Sequence, residues 1–156
     1  MARRMSRDKR NFLERLSLFG ESLGLPPMAG RIWGWLLICD PPHQTAGQIA
    51  EAVGGSRASM TSMTRLLIQI GIVERISLPG QRSRFYQLRP GAFTAILEGK
   101  MSLTTEMRRI TEEGLDLLEG KPKALRQRLQ DYHDFYAFFE REFPLLIERW
   151  KKRKGR

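Results

Sequence analysis

Cysteine is nearly absent from the chain: Cys39 is the only one, so no disulfide can form within it. A chain without disulfides is typical of a reducing compartment. Long apolar runs are missing as well, and the longest, Ile32–Cys39, falls far short of the roughly 18 residues that span a bilayer. No apolar stretch follows the basic residues near the start, as a secretory signal requires. We therefore expect a soluble cytoplasmic protein that does not contact membranes.

Sequence patterns of catalysis are also missing. The chain has no phosphate-binding glycine loop, no nucleophile elbow and no carboxylate constellation. Cys39 and His43 are four residues apart, but two prolines separate them and no second pair completes a metal site. Apolar neighbours favour an inert buried thiol at Cys39 over a redox switch. We expect neither an enzyme nor a cofactor nor a metal site.

Acidic residues are scarce where basic residues concentrate. The chain carries 27 Lys and Arg against 17 Asp and Glu, a net charge of +10. Between residues 45 and 89, six arginines face only Glu51 and Glu74, whereas acidic residues predominate between Glu98 and Glu119. This asymmetry predicts one surface that binds phosphate and another that stays away from it.

Apolar periodicity predicts a mainly α-helical protein with one small β-hairpin. The 156 residues, 41% of them hydrophobic, suit one compact globular domain. A first helix is predicted from Ser6 to about Leu23, and a buried second helix ends at the Asp40-Pro41-Pro42 segment. After Pro90 the helical period continues to Gly120, a further helix follows, and Pro144 opens a last one.

Residues 45–71 have the spacing of a helix-turn-helix. Thr45 caps a short helix, Gly54 and Gly55 interrupt it, and Ser56 caps a second helix that ends at Gly71. Ala50, four residues before Gly54, is small enough for the two helices to cross closely. The apolar positions predicted to anchor the second helix are Met60, Met63, Leu67 and Ile70.

The opposite face of the second helix carries hydroxyls and arginines. Its candidate DNA-contacting residues are Ser56, Arg57, Ser59, Thr61, Ser62 and Arg65. Such side chains read base edges and bind phosphates in a major groove, and the helix N-terminus adds backbone donors. The alternative is an ordinary solvated face. We favour DNA binding because a solvated face usually includes Glu and Lys, which are missing here.

A basic hairpin follows the second helix. Residues 72–78 and 84–88 are predicted to be extended, with a turn at Pro79-Gly80. Arg82 and Arg84 lie near its tip, where a wing can insert an arginine into the minor groove. The alternative is a solubilising turn.

These segments resemble the MarR-type winged helix-turn-helix regulators, and more closely the branch typified by the GbsR repressor of betaine synthesis. The resemblance covers about residues 20–92. It is carried by Gly24-Leu25-Pro26-Pro27-Met28-Ala29-Gly30-Arg31-Ile32-Trp33-Gly34, by Gln48-Ile49-Ala50-Glu51-Ala52-Val53, by Ser56-Arg57, by Leu66-Leu67, by Gly71-Ile72-Val73-Glu74-Arg75 and by Pro79-Gly80-Gln81-Arg82. Arg82 matches the family's wing arginine, but Gly80 and Gln81 stand where an acidic residue usually precedes it.

The resemblance implies a bacterial homodimer whose first and last helices interleave, and repression tuned by a small-molecule effector. We expect a dimerisation helix over residues 1–24, the winged helix-turn-helix over 25–91 and dimerisation helices over 92–156. The predicted function is sequence-specific binding to palindromic double-stranded DNA. The alternative is an architectural or protein-interaction module that does not read bases. The aromatic residues Tyr132, Phe135, Tyr136, Phe138 and Phe139 fit a core or dimer interface, or a site for a quaternary ammonium ion.

Overall fold

The computed structural model describes residues 5–155, which fold into seven helices and three strands. In chain order they are α1 (Arg7–Ser22), α2 (Pro27–Ile38), β1 (Gln44–Thr45), α3 (Ala46–Val53), α4 (Arg57–Ile70), β2 (Val73–Ser77), β3 (Arg84–Leu88), α5 (Ala92–Gly99), α6 (Met101–Leu117) and α7 (Lys123–Lys154). Two compact units divide the chain, one up to Phe93 and the other from Thr94 onward. The predicted mainly helical class with a small wing is confirmed.

The β-sheet of the first unit has one strand more than the predicted hairpin. Its order is β1-β3-β2, with both pairings antiparallel. Gln44 pairs with Tyr86 and Thr45 with Phe85, so the segment before α3 becomes an edge strand. Two residues are too few for a period of two to be visible in the sequence.

The core of the first unit is built on close contact between α1 and α2. A Cβ atom on Gly30 would lie 2.6 Å from the Ser17 Cα atom, and one on Gly34 would lie 3.0 Å from Leu13 Cδ2. These two glycines therefore let α1 and α2 approach each other closely. Ser17 is buried there, and its hydroxyl donates to the Pro27 carbonyl at 2.9 Å. Beneath lie the fully buried side chains Ile32, Ile49, Met60, Leu67 and Val73.

The second unit is an antiparallel helical hairpin of α6 and α7. Thr105 Oγ1 donates to Glu140 Oε1 at 2.8 Å, and Thr111 Oγ1 lies 3.3 Å from His133 Nδ1. Near the connection, a Cβ atom on Gly114 would lie 2.6 Å from Leu129 Cδ2. The two helices are therefore in contact over most of the length of α6.

The prediction that Pro144 opens a separate helix is wrong, because α7 runs through it. Proline lacks the N–H that would bond the Glu140 carbonyl, which usually ends or kinks a helix. Here both halves are held by neighbours: Glu140 pairs with Arg108 before the proline, and Lys151 pairs with Glu98 after it. Ile147, which follows the proline, is also buried.

The single helix predicted after Pro90 is divided at Lys100 into α5 and α6. A Cβ atom on Gly99 would meet no atom of residues 5–155 within 4 Å, so this turn is not held by packing at Gly99. Glycine costs about 1 kcal/mol relative to alanine inside a helix. The Lys100 N–H is shared between the Ile96 and Leu97 carbonyls at 3.2 Å each, which locally tightens the helix.

Candidate nucleic-acid interface

The turn between α3 and α4 has the geometry that the glycine pattern predicts. Thr45 and Gln48 form a reciprocal capping box at the start of α3. Gly54 ends α3 in the left-handed conformation at φ 71°, and its N–H bonds the Ala50 carbonyl. The Ser56 hydroxyl then accepts from the Ser59 N–H at 3.2 Å and caps α4. These contacts fix the angle between the two helices of the motif.

The inward face of α4 is narrower than the sequence predicts. Met60 and Leu67 are buried, as expected, and Thr64 is buried between them. Met63 is only half-buried, and Ile70, at the end of the helix, is 36% exposed. The residues that anchor α4 are therefore Met60, Thr64 and Leu67, one helical turn apart.

The outward face of α4 displays most of the predicted DNA-contacting side chains. The exposed members are Ser56, Arg57, Thr61, Ser62 and Arg65. Ser59 is half-buried at the edge of this face. Ala58 is exposed between the predicted residues and was not among them, because a small apolar side chain gives no sequence signal for DNA contact. Its place one turn before Thr61 and Ser62 on a helix would have revealed it.

Thr61 has a hydroxyl that is already engaged within the helix. Its Oγ1 donates to the Arg57 carbonyl at 3.0 Å. Such back-bonding to the preceding turn is a common rotamer choice for threonine in helices. The hydroxyl proton is therefore used inside the protein, although the side chain itself is exposed.

The wing is formed by β2 and β3 and the connection between them. Gly80 adopts a left-handed conformation at φ 74°, and the Gln81 N–H bonds the Leu78 carbonyl at 3.1 Å. Arg82 and Arg84 are both exposed. The Glu74 carboxylate accepts from Gln87 Nε2 at 2.7 Å.

The arginines of α4 and of the wing keep their charge available. Within residues 5–155, no ion pair engages Arg57, Arg65, Arg82 or Arg84. Both elements belong to the first unit, where α4 packs on β2. Exposed guanidinium groups without an internal carboxylate are suited to binding phosphate oxygens or guanine edges.

A cleft of about 1180 Å³ lies in the first unit between α1, α2 and α3. Trp35 forms part of its lining; its Nε1 is buried without a hydrogen-bond partner among residues 5–155. The Lys9 ammonium group lies 5.8 Å from the centroid of the Trp35 ring. Arg31 pairs through two nitrogens with Glu14 at 2.8 and 3.0 Å. The cleft thus combines an indole with cationic and anionic walls.

Cys39 is half-buried, not fully buried as its apolar neighbours predict. Burial raises the pKa of its thiol, and the nearby Asp40 carboxylate adds to the effect. A thiol with a raised pKa is a poor nucleophile at neutral pH.

The aromatic residues of α7 form a stack along one helix. Phe135 and Phe139 have centroids 6.2 Å apart, and Phe139 and Phe143 have centroids 5.1 Å apart, with nearly parallel rings. Phe138 instead lies beside Arg141, whose guanidinium carbon is 5.6 Å from its centroid. A quaternary ammonium site needs several ring faces around one point. Successive rings that stack on one another do not provide that arrangement.

Sequence comparison relates these features to known regulators. The chain is 32% identical over 148 residues to the HTH-type transcriptional regulator MmpR5 of Mycobacterium tuberculosis, covering 95% of this chain and 90% of that protein. A family profile described as MmpR5-like MarR family transcriptional regulator matches residues 91–153. The chain belongs to the MarR family.

A transcriptional regulator of known structure has the same fold over nearly the whole chain. Its crystal structure, 32% identical in sequence, superimposes with a TM-score of 0.71 and covers 93% of this chain and 99% of its own. The protein is thus a DNA-binding helix-turn-helix transcriptional regulator of the MarR family, and the predicted absence of enzymatic function agrees with this family. The matching profile is MmpR5-like, so the closer resemblance to GbsR stays a prediction. Among the described residues, no helix of this MarR-family chain is both long and apolar enough to cross a bilayer.

Proposed function

We propose that the protein is a sequence-specific regulator that reads operator DNA with α4. The observation that carries this proposal is the exposed face of α4, where hydroxyls and two arginines without ion pairs among residues 5–155 lie opposite the buried Met60 and Leu67. An α-helix fits the major groove, and arginine recognises guanine through two hydrogen bonds. Each such contact is worth about 1–3 kcal/mol of discrimination.

Phosphate contacts are assigned to the start of α4 and to the wing. Ser56 and the first N–H groups of α4 present donors and a positive dipole to an anion. Arg82 and Arg84 extend the positive charge along the hairpin, where a minor groove has its most negative potential. These contacts position the protein without reading sequence.

We further propose that the regulator is a homodimer. On α7, apolar residues recur in alternating steps of four and three residues: Leu125, Leu129, Tyr132, Tyr136, Phe139, Phe143 and Leu146. On α6 the same spacing joins Leu103, Met107, Ile110, Gly114 and Leu117. On α1 it joins Phe12, Leu16 and Phe19 and extends to Leu23 at the C-cap. This repeat is the pattern with which helices pack against other helices.

Within the second unit, these apolar stripes of α6 and α7 adjoin each other near the helix connection, where a Cβ atom on Gly114 would lie 2.6 Å from Leu129 Cδ2. Much of the combined stripe is exposed: Ile110 by 52%, Leu117 by 83% and Tyr132 by 57%. Apolar surface of this extent favours burial against another chain. A second copy offers the same stripes, and a two-fold dimer places two copies of α4 on a palindrome.

We propose that a small-molecule effector acts through the cleft between α1, α2 and α3. One wall of this cleft is formed by Gln48 and Glu51 of α3, which is the first helix of the helix-turn-helix. A ligand that moves α3 relative to α1 also changes the orientation of α4. Its effect on DNA affinity is set by how much more tightly it binds one position of α3 than the other. The resemblance to the GbsR branch supports repression as the default output. The single cysteine supports a location in the reducing cytoplasm.

An operator-binding assay separates this proposal from an architectural role. Palindromes upstream of the protein's own gene and random duplexes are compared at one salt concentration. A specific regulator prefers its operator by about a thousandfold or more. An architectural module binds both duplexes with similar affinity, and that result would refute sequence-specific reading.

Variants of α4 then identify the reader. Arg57→Ala and Arg65→Ala should each flatten the selected preference at one base pair per half-site. Because both side chains are exposed, the free energy of unfolding should change by under about 0.5 kcal/mol. Arg109→Ala, which removes an exposed arginine from α6, is the matched control and should leave the selected sequence unchanged.

A further inference from the structure

Two neighbouring residues on the exposed face of α4, Ala58 and Thr61, carry methyl groups. Ala58 and Thr61 are both exposed and lie three residues apart, so their side chains are neighbours on the helix. Ser62 and Arg65 lie next to them on the same face. The two positions therefore lie among the groups to which base recognition is assigned above.

Thr61 has limited capacity to act as a polar reader. A hydroxyl carries a single donor hydrogen, and that of Thr61 is given to the Arg57 carbonyl at 3.0 Å. While this bond is kept, Thr61 cannot donate to guanine N7 or O6, to adenine N7 or to thymine O4. The methyl group of Thr61 is attached to the same Cβ and forms no hydrogen bond.

Ala58 offers only its methyl group. Together, the two residues present a pair of methyl groups on a face that is otherwise polar. The major-groove edges of the four base pairs carry donors, acceptors and one apolar group, which is the C5 methyl of thymine. Of the four bases, thymine is therefore the one whose major-groove edge offers a methyl group for this pair to contact.

We propose that Ala58 and Thr61 recognise the C5 methyl group of a thymine in each operator half-site. This inference rests on the proposed function of α4 as the reading helix. It specifies a thymine in each half-site, whereas the arginine contacts specify guanine.

The test replaces thymidine by deoxyuridine, one position at a time, in an operator selected by the full-length protein. This exchange removes only the C5 methyl and keeps base pairing. Burial of one methyl group accounts for about a fourfold change in affinity. We expect one position per half-site to show a loss of about threefold to fivefold, and the other positions to show little change.

Two substitutions at Thr61 separate the methyl group from the hydroxyl. Thr61→Ser keeps the hydroxyl and removes the methyl, so discrimination between thymine and uracil at that position should fall. Thr61→Val keeps a methyl and removes the hydroxyl, so discrimination should persist. Thermal unfolding of both variants without DNA shows whether α4 remains folded.

The outcomes distinguish this inference from the proposal on which it rests. A flat deoxyuridine scan, with base preferences still dependent on Arg57 or Arg65, overturns the methyl contact and leaves α4 as the reader. Discrimination that persists in Thr61→Ser and is lost in Thr61→Val also overturns it, because the hydroxyl is then the recognising group. If no operator is preferred over random DNA, both proposals fail.

Discussion

Gly30 of α2 lies directly against Ser17 of α1. A Cβ atom on Gly30 would be 2.6 Å from the Ser17 Cα atom and 3.2 Å from the Leu16 carbonyl oxygen. These are backbone atoms, which cannot turn aside as the end of a side chain can. The contact fixes the distance between the two helices and thereby the position of the hydrogen bond from the Ser17 hydroxyl to the Pro27 carbonyl.

Gly30→Ala should therefore destabilise the protein, although alanine is the better helix former. Forcing extra volume into a packed contact costs about 1–3 kcal/mol, which exceeds the gain of about 1 kcal/mol in helix propensity. The matched control is Gly47→Ala in α3, where the nearest atom to a Cβ is Thr45 Oγ1 at 3.9 Å. Thermal unfolding should show a lower Tm for the first variant and an equal or higher Tm for the second.

If the two alanine variants raised the Tm alike, α1 and α2 would not be in contact at Gly30. Thermal unfolding is measured without DNA, because Gly47 lies in α3, the first helix of the helix-turn-helix.

Acid should weaken the hairpin of α6 and α7 through Glu140. The Thr105 hydroxyl and then the Arg108 guanidinium bond its carboxylate and lower its pKa from the ordinary value of 4.5. Because the folded-state pKa is the lower one, the stabilisation is present above the unfolded-state pKa and disappears as pH falls through the folded-state value. In Glu140→Gln, the urea midpoint should depend less on pH below about 5 than in the wild type.

The exposed Glu113 on α6 supplies the control for this titration. Glu113→Gln removes one carboxylate from the same helix and should retain the wild-type pH dependence. A Glu140→Gln profile that parallels the wild type throughout would show that these hydrogen bonds do not contribute to stability.

The helix-turn-helix was predictable from sequence because the residues that begin and end its helices act locally. Thr45, Gly54, Ser56 and Gly71 act through short-range backbone chemistry, and each was found in its predicted role. The long-range features were not predictable in this way. Pro144 remains within α7 because residues on both sides of it pair with distant side chains, Arg108 and Glu98. A local rule for proline contains no information about such partners.

The candidate site shows the same division. Helical spacing places Arg57 and Arg65 on the outward face, and both are exposed there. It does not reveal that the Thr61 hydroxyl bonds the Arg57 carbonyl, because a rotamer choice is decided by the folded backbone. Ala58 was overlooked since an alanine is neutral in any count of charge or polarity.

Arg82→Ala should weaken DNA binding through loss of an electrostatic contact. Affinity for operator and random duplexes should fall together, and the dependence of log K on log salt should become shallower by about one unit. Arg109→Ala is again the control, because it removes the same charge from α6, where acidic residues predominate. A salt dependence that Arg82→Ala leaves unchanged would show that the hairpin tip does not touch DNA.

Charged residues in the α6 stripe should separate the proposed dimer. Ile110→Glu and Leu117→Glu, combined in one double variant, place carboxylates on side chains that are 52% and 83% exposed, so each folded hairpin can tolerate them. Arg109→Glu introduces the same group on the same helix, outside the stripe, and serves as the control. Sedimentation at micromolar concentration should give twice the chain mass of 18.1 kDa for the wild type and the control, and the single mass for the double variant.

Separation of the dimer should also change how DNA is bound. A dimer holds two copies of α4 on one palindrome, so its second half-site contact is intramolecular and raises the overall affinity by a factor of about 10²–10⁴. The monomeric variant should lose this factor on the full operator and keep the wild-type base preference on an isolated half-site, because α4 itself is unaltered. A wild type that sediments as a single chain, or a double variant that binds the full operator undiminished, would contradict the dimer and require the apolar stripes to be covered in another way.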